Sequence, residues 1–335
     1  MTTKYRSLIV LNTLMLHSEL PEDLATAAEL LKQGKLVAVP TETVYGLAAD
    51  ACNKSAVNNI FAAKGRPSDH PLIVHLHASS ALHDWAQDIP AEAFALADAF
   101  WPGPLTLLLK KADHVDSVVT GGLDTIGLRV PAHPVLLKLL ASHQLAVAAP
   151  SANPYKQLSP TSAQQVMETM AGKLDAVLDG GDCEFGLEST IVSLVDGAIQ
   201  VLRAGPICPA QLEKVLGQKV QSPLQHQVKV SGNVAAHYQP KTSLRCVSAT
   251  QLDELLTGTK LKLAVLSFSN LSFNAQPYWH TTMPRNAQDY GRVLYKQLYQ
   301  ADQSGAELIL LELPPAGDEW AAVQNRLQRA AYQED

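Results

Sequence analysis

The sequence predicts an α/β protein in which a large, mixed open sheet with helices is followed by a second, smaller α/β domain. Short apolar runs typical of strands alternate with helical patterns over the first two thirds of the chain. Asp196-Gly197 separates two strand-like runs and predicts a hairpin, so the sheet should contain antiparallel as well as parallel pairs. Between Gly217 and Pro240 no periodicity persists and Gln, Ser, Pro and Gly accumulate, which indicates an interdomain linker.

The elements of the first domain follow from local patterns. Residues 4–16 predict a strand rather than a signal peptide, because Asn12 and Thr13 interrupt the apolar stretch. Residues 21–32 have the apolar spacing of a helix, which Gly34 should terminate. Further helices are predicted at 91–100, 135–142 and 162–170. Strands are predicted at 36–39, 72–76, 105–109, 125–130, 146–149, 176–178, 190–195 and 199–202.

The C-terminal part of the chain has its own alternation. Strands near 261–268 and 307–311 alternate with helices near 287–303 and 319–331, which is typical of a small βαβ-type, Rossmann-like domain. The sequence therefore predicts three parts. Residues 1–216 form the first domain, residues 217–240 form a linker, and residues 241–335 form the small C-terminal domain.

Composition excludes several classes of protein. The chain has 335 residues, of which 47% are hydrophobic and 17% charged, as in ordinary soluble globular proteins. Its formal charge of −6 argues against nucleic-acid binding through bulk positive charge. Four widely spaced cysteines without a C-x-x-C pair argue against a zinc ribbon and favour a reducing cytosol. No run approaches the roughly 20 apolar residues of a membrane span.

One pair of motifs predicts a polyphosphate site. Lys64-Gly-Arg66-Pro67 should end a helix and leave its two cations, with His70, at a rigid exposed corner. A guanidinium fork and an ammonium one residue apart suit two phosphate oxygens. Far downstream, Ser151-Ala-Asn153 offers a small hydroxyl and an amide. There is no G-x-x-x-x-G-K-S/T motif, so such a nucleotide site would not be a P-loop.

Three further blocks carry polar groups at strand ends or turns. A strand ends at Pro40 and continues into two threonines, a carboxylate and Tyr45, a pattern found where ligands bind to open α/β sheets. Thr125, Gly127 and Arg129 share one face of a strand. Residues 180–189 contain three glycines ahead of a β-branched run and predict a flexible phosphate or substrate loop.

Metal binding has weaker support in the sequence. His75 and His77 lie on one strand face at a spacing that can serve a metal, but the sequence places no third ligand. Four carboxylates could hold Mg²⁺ together with substrate phosphates, or could equally be solvated loop and capping groups. They are Glu42, Asp182, Glu184 and Glu188. The metal ligands therefore stay unassigned.

These blocks together resemble the YrdC-like family, and more narrowly its two-domain threonylcarbamoyl-AMP synthases. The matching segments run in the family's order from about residue 20 to residue 207. They are Pro40-Thr-Glu-Thr-Val-Tyr-Gly-Leu, Lys64-Gly-Arg-Pro, Pro71-Leu-Ile-Val-His75, Trp101-Pro-Gly-Pro-Leu-Thr, Gly127-Leu-Arg-Val-Pro, Ala149-Pro-Ser-Ala-Asn153 and Leu187-Glu-Ser-Thr-Ile. The C-terminal third resembles the family's second domain through His237-Tyr238-Gln-Pro240 and Asn325-Arg326-Leu-Gln-Arg-Ala-Ala. The resemblance implies the YrdC-like twisted mixed sheet.

The resemblance also implies an activity. The family joins L-threonine, bicarbonate and ATP, with Mg²⁺, to form threonylcarbamoyl-AMP and pyrophosphate. Its product feeds the cytoplasmic machinery that transfers the threonylcarbamoyl group to an adenosine of certain tRNAs, and weak tRNA contact would be compatible with this. Thr43, His75, Arg129, Ala149 and Ser189 would surround L-threonine. Lys64, Arg66, His70, Thr125, Ser151, Asn153, Ser159, Arg203 and Tyr238 would line the ATP site, with Lys64 and Arg66 as the catalytic pair.

Two other functions remain open from the sequence. The fold also occurs as a module that binds double-stranded RNA or tRNA without chemistry, which the acidic net charge disfavours. A carbamoyl-transfer domain would belong to a larger chain with zinc-finger cysteines, which this sequence lacks. The linker carries a hypothesis of its own, because His237 and Tyr238 could close it over a nucleotide as a lid.

Overall fold

Two sheets, formed by successive parts of the chain, organise the fold. The computed structural model describes residues 12–195, 197–223, 228–232, 234–269 and 275–332. In these residues ten strands form one sheet and four form a second. No helix in the same residues is both long enough and apolar enough to cross a bilayer.

The first sheet is mixed, as the sequence predicted. Its strands are β1 (Leu14–His17), β2 (Val37–Val39), β3 (Gly46–Asp50), β4 (Ile73–His75), β5 (Leu105–Lys110), β6 (Thr125–Arg129), β7 (Val147–Ala148), β8 (Ala176–Asp179), β9 (Thr190–Ser193) and β10 (Gln200–Arg203). They lie in the order β1-β8-β2-β3-β7-β4-β6-β5-β9-β10. The pairs β4–β6 and β5–β9 are parallel, whereas β2–β3, β5–β6 and β9–β10 are antiparallel.

Helices cover both faces of this sheet. They are α1 (Pro21–Lys32), α2 (Lys54–Lys64), α3 (Ala91–Phe100), α4 (Ser117–Thr120), α5 (Pro134–His143), α6 (Ala163–Met170) and α7 (Pro209–Leu216). One apolar cluster packs α2, α3 and α6 on the sheet, and another packs α1 and α5 on it. Each fully buried aliphatic side chain in these layers contributes about 1.5–3 kcal/mol relative to exposure.

Helix α2 shows how the sequence sets the corner that carries the first motif. Asn53 caps its start, because the side-chain oxygen accepts from the backbone N–H groups of Ser55 and Ala56 at 3.1 Å. Gly65 adopts a left-handed conformation with φ of 63° and ends the helix directly after Lys64. The helix therefore ends at this glycine, two residues before the proline that was expected to stop it.

The second sheet is parallel throughout, as in Rossmann-like domains. Its strands are β11 (Leu244–Val247), β12 (Leu263–Ser267), β13 (Trp279–Thr282) and β14 (Leu308–Glu312), in the order β11-β14-β12-β13. Helices α8 (Ala249–Gly258) and α9 (Ala287–Gln303) pack on it, and α10 (Ala321–Ala330) packs on α9. The sequence predicted α9 with these bounds, but it did not predict β11, β13 or α8.

Other sequence predictions differ from the structure in detail. Residues 40–46 were expected to end a strand, yet a new strand, β3, begins at Gly46 and pairs back on β2. The predicted N-terminal strand lies largely outside the described residues, and only β1 represents it. Asp196 of the predicted hairpin also lies outside them, although β9 and β10 pair in the antiparallel sense that it required.

The two parts of the fold share a core. Val44 and Leu187 from the first part belong to the apolar cluster formed by α9, α10 and the second sheet, and Tyr238 joins them. Gly186 touches the backbone of α9 so closely that a Cβ would overlap the carbonyl of Arg292. The residues of the glycine-rich loop therefore dock the second part of the chain.

Gly186→Ala should destabilise the protein by about 2–5 kcal/mol. The substitution combines a left-handed backbone, with φ of 70°, and a collision with a helix backbone that cannot move aside. Gly181→Ala is the matched control, because its φ is 89° but no atom lies within 4 Å of the added Cβ. That variant should lose only about 1–2 kcal/mol. Denaturant unfolding measures both, and equal losses would show that the contact with α9 is unimportant.

Candidate functional site

A pocket lies where several strands of the first sheet begin or end. Its walls come from the loop after β2, the ends of β4, β6 and β10, the segment after β7 and the start of β9. Ser231, Gly232 and His237 complete the lining. The lining residues are Thr41, Thr43, Val44, Gly46, Arg66, Ile73, His75, Arg129, Ala149, Pro150, Ser151, Glu188, Ser189, Arg203, Ser231, Gly232 and His237. The cavity holds about 40 Å³, which is room for a few water molecules.

The loop after β2 is organised by one hydroxyl. Thr41 Oγ1 accepts from the backbone N–H groups of Thr43 and Val44 at 3.1 Å and lies 2.8 Å from Thr43 Oγ1. Ser and Thr hydroxyls favour such local turns. This turn fixes Thr43 at the pocket wall and turns Val44 towards the second part of the chain.

Two buried guanidiniums line the pocket without a carboxylate partner in the described residues. Arg66 donates to the carbonyl of Pro71 at 3.0 Å, and its Nε is buried without a partner. Arg203 donates to Ser189 O, Ser189 Oγ and Ser231 O, each at 2.9 Å. Burial lowers the pKa of both groups to about 10, so they keep their charge at neutral pH. Buried cations that make no direct contact with a carboxylate favour an anionic ligand.

The third arginine of the pocket is already paired. Arg129 Nη2 donates to Glu42 Oε1 at 2.6 Å, Nη1 donates to Thr43 Oγ1 at 3.0 Å and Nε donates to Gly103 O at 3.1 Å. Two of its five N–H groups therefore remain for a ligand. The pair is buried, and Arg129 Nη1 orients the hydroxyl of Thr43 as a possible substrate contact.

Lys64 corrects a sequence prediction. Neither Lys64, 4% exposed, nor Arg66, 7% exposed, lies at the expected exposed corner. Lys64 Nζ donates to the carbonyls of Ser151 and Asn153 at 2.5 Å, and burial, aided by Arg66, lowers its pKa well below the ordinary value. The lysine therefore holds the downstream motif in place and does not line the pocket. Charged side chains are predicted at surfaces by default, and only the fold brings the two motifs together.

The start of β9 carries a buried hydrogen-bond network. Ser189 Oγ lies 2.7 Å from Thr106 Oγ1 and accepts from Arg203 Nη2. Glu188 Oε1 accepts from Ser159 Oγ at 2.6 Å, and Glu188 Oε2 accepts from Arg326 Nε at 2.8 Å. Arg326 belongs to α10, so the second part of the chain reaches the pocket wall.

Both histidines of the pocket are neutral at physiological pH. Burial, together with the charge of Arg129, lowers the pKa of His75 to about 3. Burial also lowers the pKa of His237 to about 3. Among the described residues, His75 Nδ1 has no hydrogen-bond partner, and His77 lies beyond the end of β4. The described residues contain no group of three His, Cys, Asp or Glu side chains that could hold a metal.

The structure gathers some of the predicted site residues and separates others. Those that line the pocket are Thr43, Arg66, His75, Arg129, Ala149, Ser151, Ser189 and Arg203. Those outside the lining are Lys64, His70, Thr125, Asn153, Ser159 and Tyr238.

The separated residues have identifiable neighbours. Thr125 begins β6, whereas the pocket lies at the end of that strand, where Arg129 stands. His70 packs edge-on against Tyr155, and Tyr238 stacks on Tyr295 of α9. Within the predicted phosphate or substrate loop of residues 180–189, Glu188 and Ser189 line the pocket, whereas Gly186 contacts α9.

Sequence reasoning missed several residues of the site. Ser231 and Gly232 line the pocket although they lie in a segment without periodicity. Glu188 was considered as a Mg²⁺ ligand or as a solvated loop or capping group, and Arg326 received no role because it lies 138 residues further along the chain. The one available signal was the Asn325-Arg326 motif, which marked the position without indicating its contact.

Comparison with known proteins gives consistent results over nearly the whole chain. The Sua5–YciO–YrdC family model, described as telomere recombination, matches residues 29–205. The model of the threonylcarbamoyl-AMP synthase C-terminal domain matches residues 207–332. Threonylcarbamoyl-AMP synthases of Pyrococcus abyssi and Bacillus subtilis are 39% and 37% identical, covering 91% and 92% of this chain and 93% and 92% of their own. The crystal structure of P. abyssi Sua5 complexed with L-threonine superposes with a TM-score of 0.87 at 36% identity, covering 95% of this chain and 97% of that one.

Proposed function

This chain belongs to the Sua5–YciO–YrdC family, and we propose that its pocket converts L-threonine, bicarbonate and ATP into L-threonylcarbamoyl-AMP and pyrophosphate. The family resemblance read from the sequence is confirmed by these matches. The observation that carries the proposal is the pair of buried guanidiniums, Arg66 and Arg203, that face the pocket without a carboxylate partner in the described residues.

The pocket divides into two halves around these cations. L-threonine is assigned to the half formed by Thr43, His75, Arg129, Ala149 and Ser189. The remaining N–H groups of Arg129 suit the amino-acid carboxylate, and the oriented hydroxyls of the half suit the threonine side chain. The phosphates are assigned to the other half, where Arg66, Ser151 and Arg203 lie.

The chemistry requires positioning rather than a covalent nucleophile. Bicarbonate, on taking up a proton, releases water to give carbon dioxide. The free amine of L-threonine adds to this carbon dioxide and loses a proton, which gives a carbamate. A carbamate oxygen attacks the α-phosphorus of ATP, the bond from this phosphorus to the β-phosphate bridging oxygen breaks, and pyrophosphate leaves. Arg66 and Arg203 hold the two anions together and offset the charge that develops on the transferred group. The neutral imidazoles of His75 and His237 add hydrogen-bonding groups without further charge.

Magnesium enters this proposal as part of the nucleotide substrate. Glu42 pairs with Arg129, Asp182 with Lys296 and Glu188 with Arg326, so these carboxylates are engaged. With no acidic or histidine cluster in the described residues, the pocket does not fit a resident divalent ion.

The proposal places the reaction in the cytoplasm, upstream of the machinery that transfers the threonylcarbamoyl group to tRNA. All four cysteines are unpaired, which is compatible with that reducing compartment. Residues 1–216 form the catalytic domain, residues 217–240 the linker and residues 241–335 the C-terminal domain. Weak contact with tRNA is compatible with this arrangement, but the pocket itself serves small molecules.

Purified protein supplied with Mg²⁺, ATP, L-threonine and bicarbonate should form an acyl-adenylate and pyrophosphate. Mass spectrometry detects the adenylate, and a coupled assay detects pyrophosphate. Release should require both threonine and bicarbonate, which separates the synthase from an RNA-binding module and from a carbamoyl-transfer domain. If a folded, nucleotide-binding preparation makes no adenylate in cold, freshly carbonated buffer, the proposed function is wrong.

The linker should open to admit substrates and close over them. Ser231, Gly232 and His237 already line the pocket, and the remaining space is far smaller than the roughly 300 Å³ of a typical small-ligand site. Trypsin cleavage after the exposed Lys229 should therefore slow when ATP and L-threonine are both present. Cleavage after Lys260, an exposed lysine of the C-terminal domain, is the internal control. Unchanged cleavage at Lys229 with saturating ligands would reduce the linker to a tether.

A further inference from the structure

The carboxylate of Glu188 lies at the boundary between the pocket and the C-terminal domain. One of its oxygens accepts from Ser159 of the first domain at 2.6 Å. The other accepts from Tyr295 Oη at 3.0 Å and from Arg326 Nε at 2.8 Å, and both of these residues belong to the C-terminal domain. All three donors are buried, and Glu188 itself lines the pocket.

Arg326 also binds the backbone of two segments that carry pocket-lining residues. Its Nη1 donates to the carbonyl of Ala204 at 2.9 Å, and its Nη2 donates to the carbonyl of Glu188 at 3.4 Å. The residues next to these two carbonyls are Arg203 and Ser189, which bind each other and face the pocket. A single fully buried guanidinium thus connects the two segments that present these groups.

The positive charge of Arg326 stabilises the ionised form of the buried Glu188 carboxylate. Burial raises the pKa of Glu188, but Arg326 and Arg203 oppose it, and the net shift is downward. Glu188 is therefore ionised at neutral pH, and an ionised carboxylate accepts four or more hydrogen bonds. It accepts one from Ser159, which fixes the direction of that hydroxyl directly behind Glu188, a residue of the pocket lining.

We propose that Tyr295 and Arg326 are positioning residues for the ATP half of the pocket, acting through Glu188 on Ser159 and on Arg203. The proposal rests on the proposed function and assigns the C-terminal domain a part in it. Pocket-lining side chains outside the linker come from the first domain, yet the C-terminal domain fixes the carboxylate that orients them. A purely structural contact would instead hold the two domains together without influencing nucleotide affinity.

Two buried tyrosines of α9 provide a matched pair of variants. Tyr295→Phe removes one donor from Glu188 and keeps the ring that stacks on Tyr238. Tyr290→Phe makes the same change five residues earlier in the same helix and the same apolar cluster, but the hydroxyl of Tyr290 has no hydrogen-bond partner among the described residues. Any general effect of removing a buried hydroxyl from α9 should therefore occur in both variants.

The full-length Tyr295→Phe protein should show a roughly ten-fold rise in KM for ATP, the expected size for losing a hydrogen bond to a buried charge. Its KM for L-threonine should change by less than about two-fold. Titration calorimetry with Mg·ATP alone should show the same loss of affinity. Tyr290→Phe should match the wild type in all three measurements. Thermal unfolding of both variants identifies any loss of folded protein.

A double-mutant cycle with Ser159→Ala tests the route through Glu188. If Tyr295 acts by orienting Ser159, the double variant should bind Mg·ATP about as weakly as the more affected single variant. Multiplicative effects, or a Tyr295→Phe protein that binds Mg·ATP like Tyr290→Phe, would overturn the proposal. These outcomes differ from failure of the proposed function, because in that case the wild type would make no adenylate.

Discussion

Replacing Arg66 with methionine should lower kcat/KM for adenylate formation by roughly 30- to 1,000-fold, equivalent to about 2–4 kcal/mol of transition-state stabilisation. Methionine keeps most of the apolar stem but removes a buried guanidinium whose described protein contact is the carbonyl of Pro71. The charge of Arg66 contributes little to the stability of the fold, so its removal should mainly weaken the interaction with the substrate phosphates. The unfolding free energy should change by less than about 1 kcal/mol, because removing an unpaired buried cation also removes its desolvation cost.

Two further variants locate the effect. Arg66→Lys restores the charge but not the planar fork, so it should recover only part of the activity. Arg245→Met changes an exposed arginine on β11 and should leave turnover unchanged. If Arg66→Met retains near wild-type turnover at limiting ATP, the assignment of this residue to the phosphates is wrong. Lys64→Ala is a different experiment, because it removes two backbone contacts and should reduce stability together with activity.

Arg326→Leu should produce the largest loss of stability, about 3–5 kcal/mol at pH 7 to 8. The substitution leaves the Glu188 carboxylate buried with only Arg203 to offset its charge. Arg326 is fully buried and donates to Glu188 and Ala204, so no solvent can replace it without rearrangement. By comparison, Lys219→Ala removes an exposed ion pair with Glu213 and should cost at most about 1 kcal/mol.

The pH dependence of the stability loss in Arg326→Leu distinguishes the unpaired charge of Glu188 from lost packing as its cause. In the wild type the pKa of folded Glu188 is below its ordinary value. The stabilisation by the ion pair is therefore complete above the ordinary value and is lost as pH falls through the lowered pKa of the folded state. Without Arg326, burial should raise this pKa, and the carboxyl can then avoid its penalty by binding a proton. The difference in unfolding free energy between wild type and variant should therefore shrink from pH 8 to pH 5. Urea titrations across this range measure it, and a constant difference would indicate lost packing alone.

The helices and strands were predicted best where the apolar spacing and the flanking residues indicated the same type of element. Helices α1, α3 and α9 have the predicted bounds, because apolar spacing and flanking residues agree. Strand β3 was missed because its alanines lack the β-branched residues typical of strands and its partner, β2, is needed to hold it. Helix α8 was missed although Ser248 and Gln251 form a capping box at its start.

The site was predicted as a set of residue types but not as an arrangement. The motifs indicated cations and hydroxyls, and eight of the predicted residues line one pocket. Burial of Lys64 and Arg66 could not be predicted from local patterns. Lys64 is bound by carbonyls some ninety residues further along the chain, and Arg66 by a carbonyl of the loop that follows it. The pairing of Glu188 with Arg326 depends on how the two domains dock, and no local pattern specifies that.

The shared core has a consequence for synthesis on the ribosome. Val44 and Leu187 complete a cluster whose other members come from Tyr238 and the C-terminal domain. Until the C-terminal domain has been synthesised, these apolar side chains of the first domain have nothing to cover them and Glu188 lacks the cation of Arg326. The incomplete chain therefore exposes apolar surface that favours aggregation, and this surface is buried when the C-terminal domain folds against the first domain.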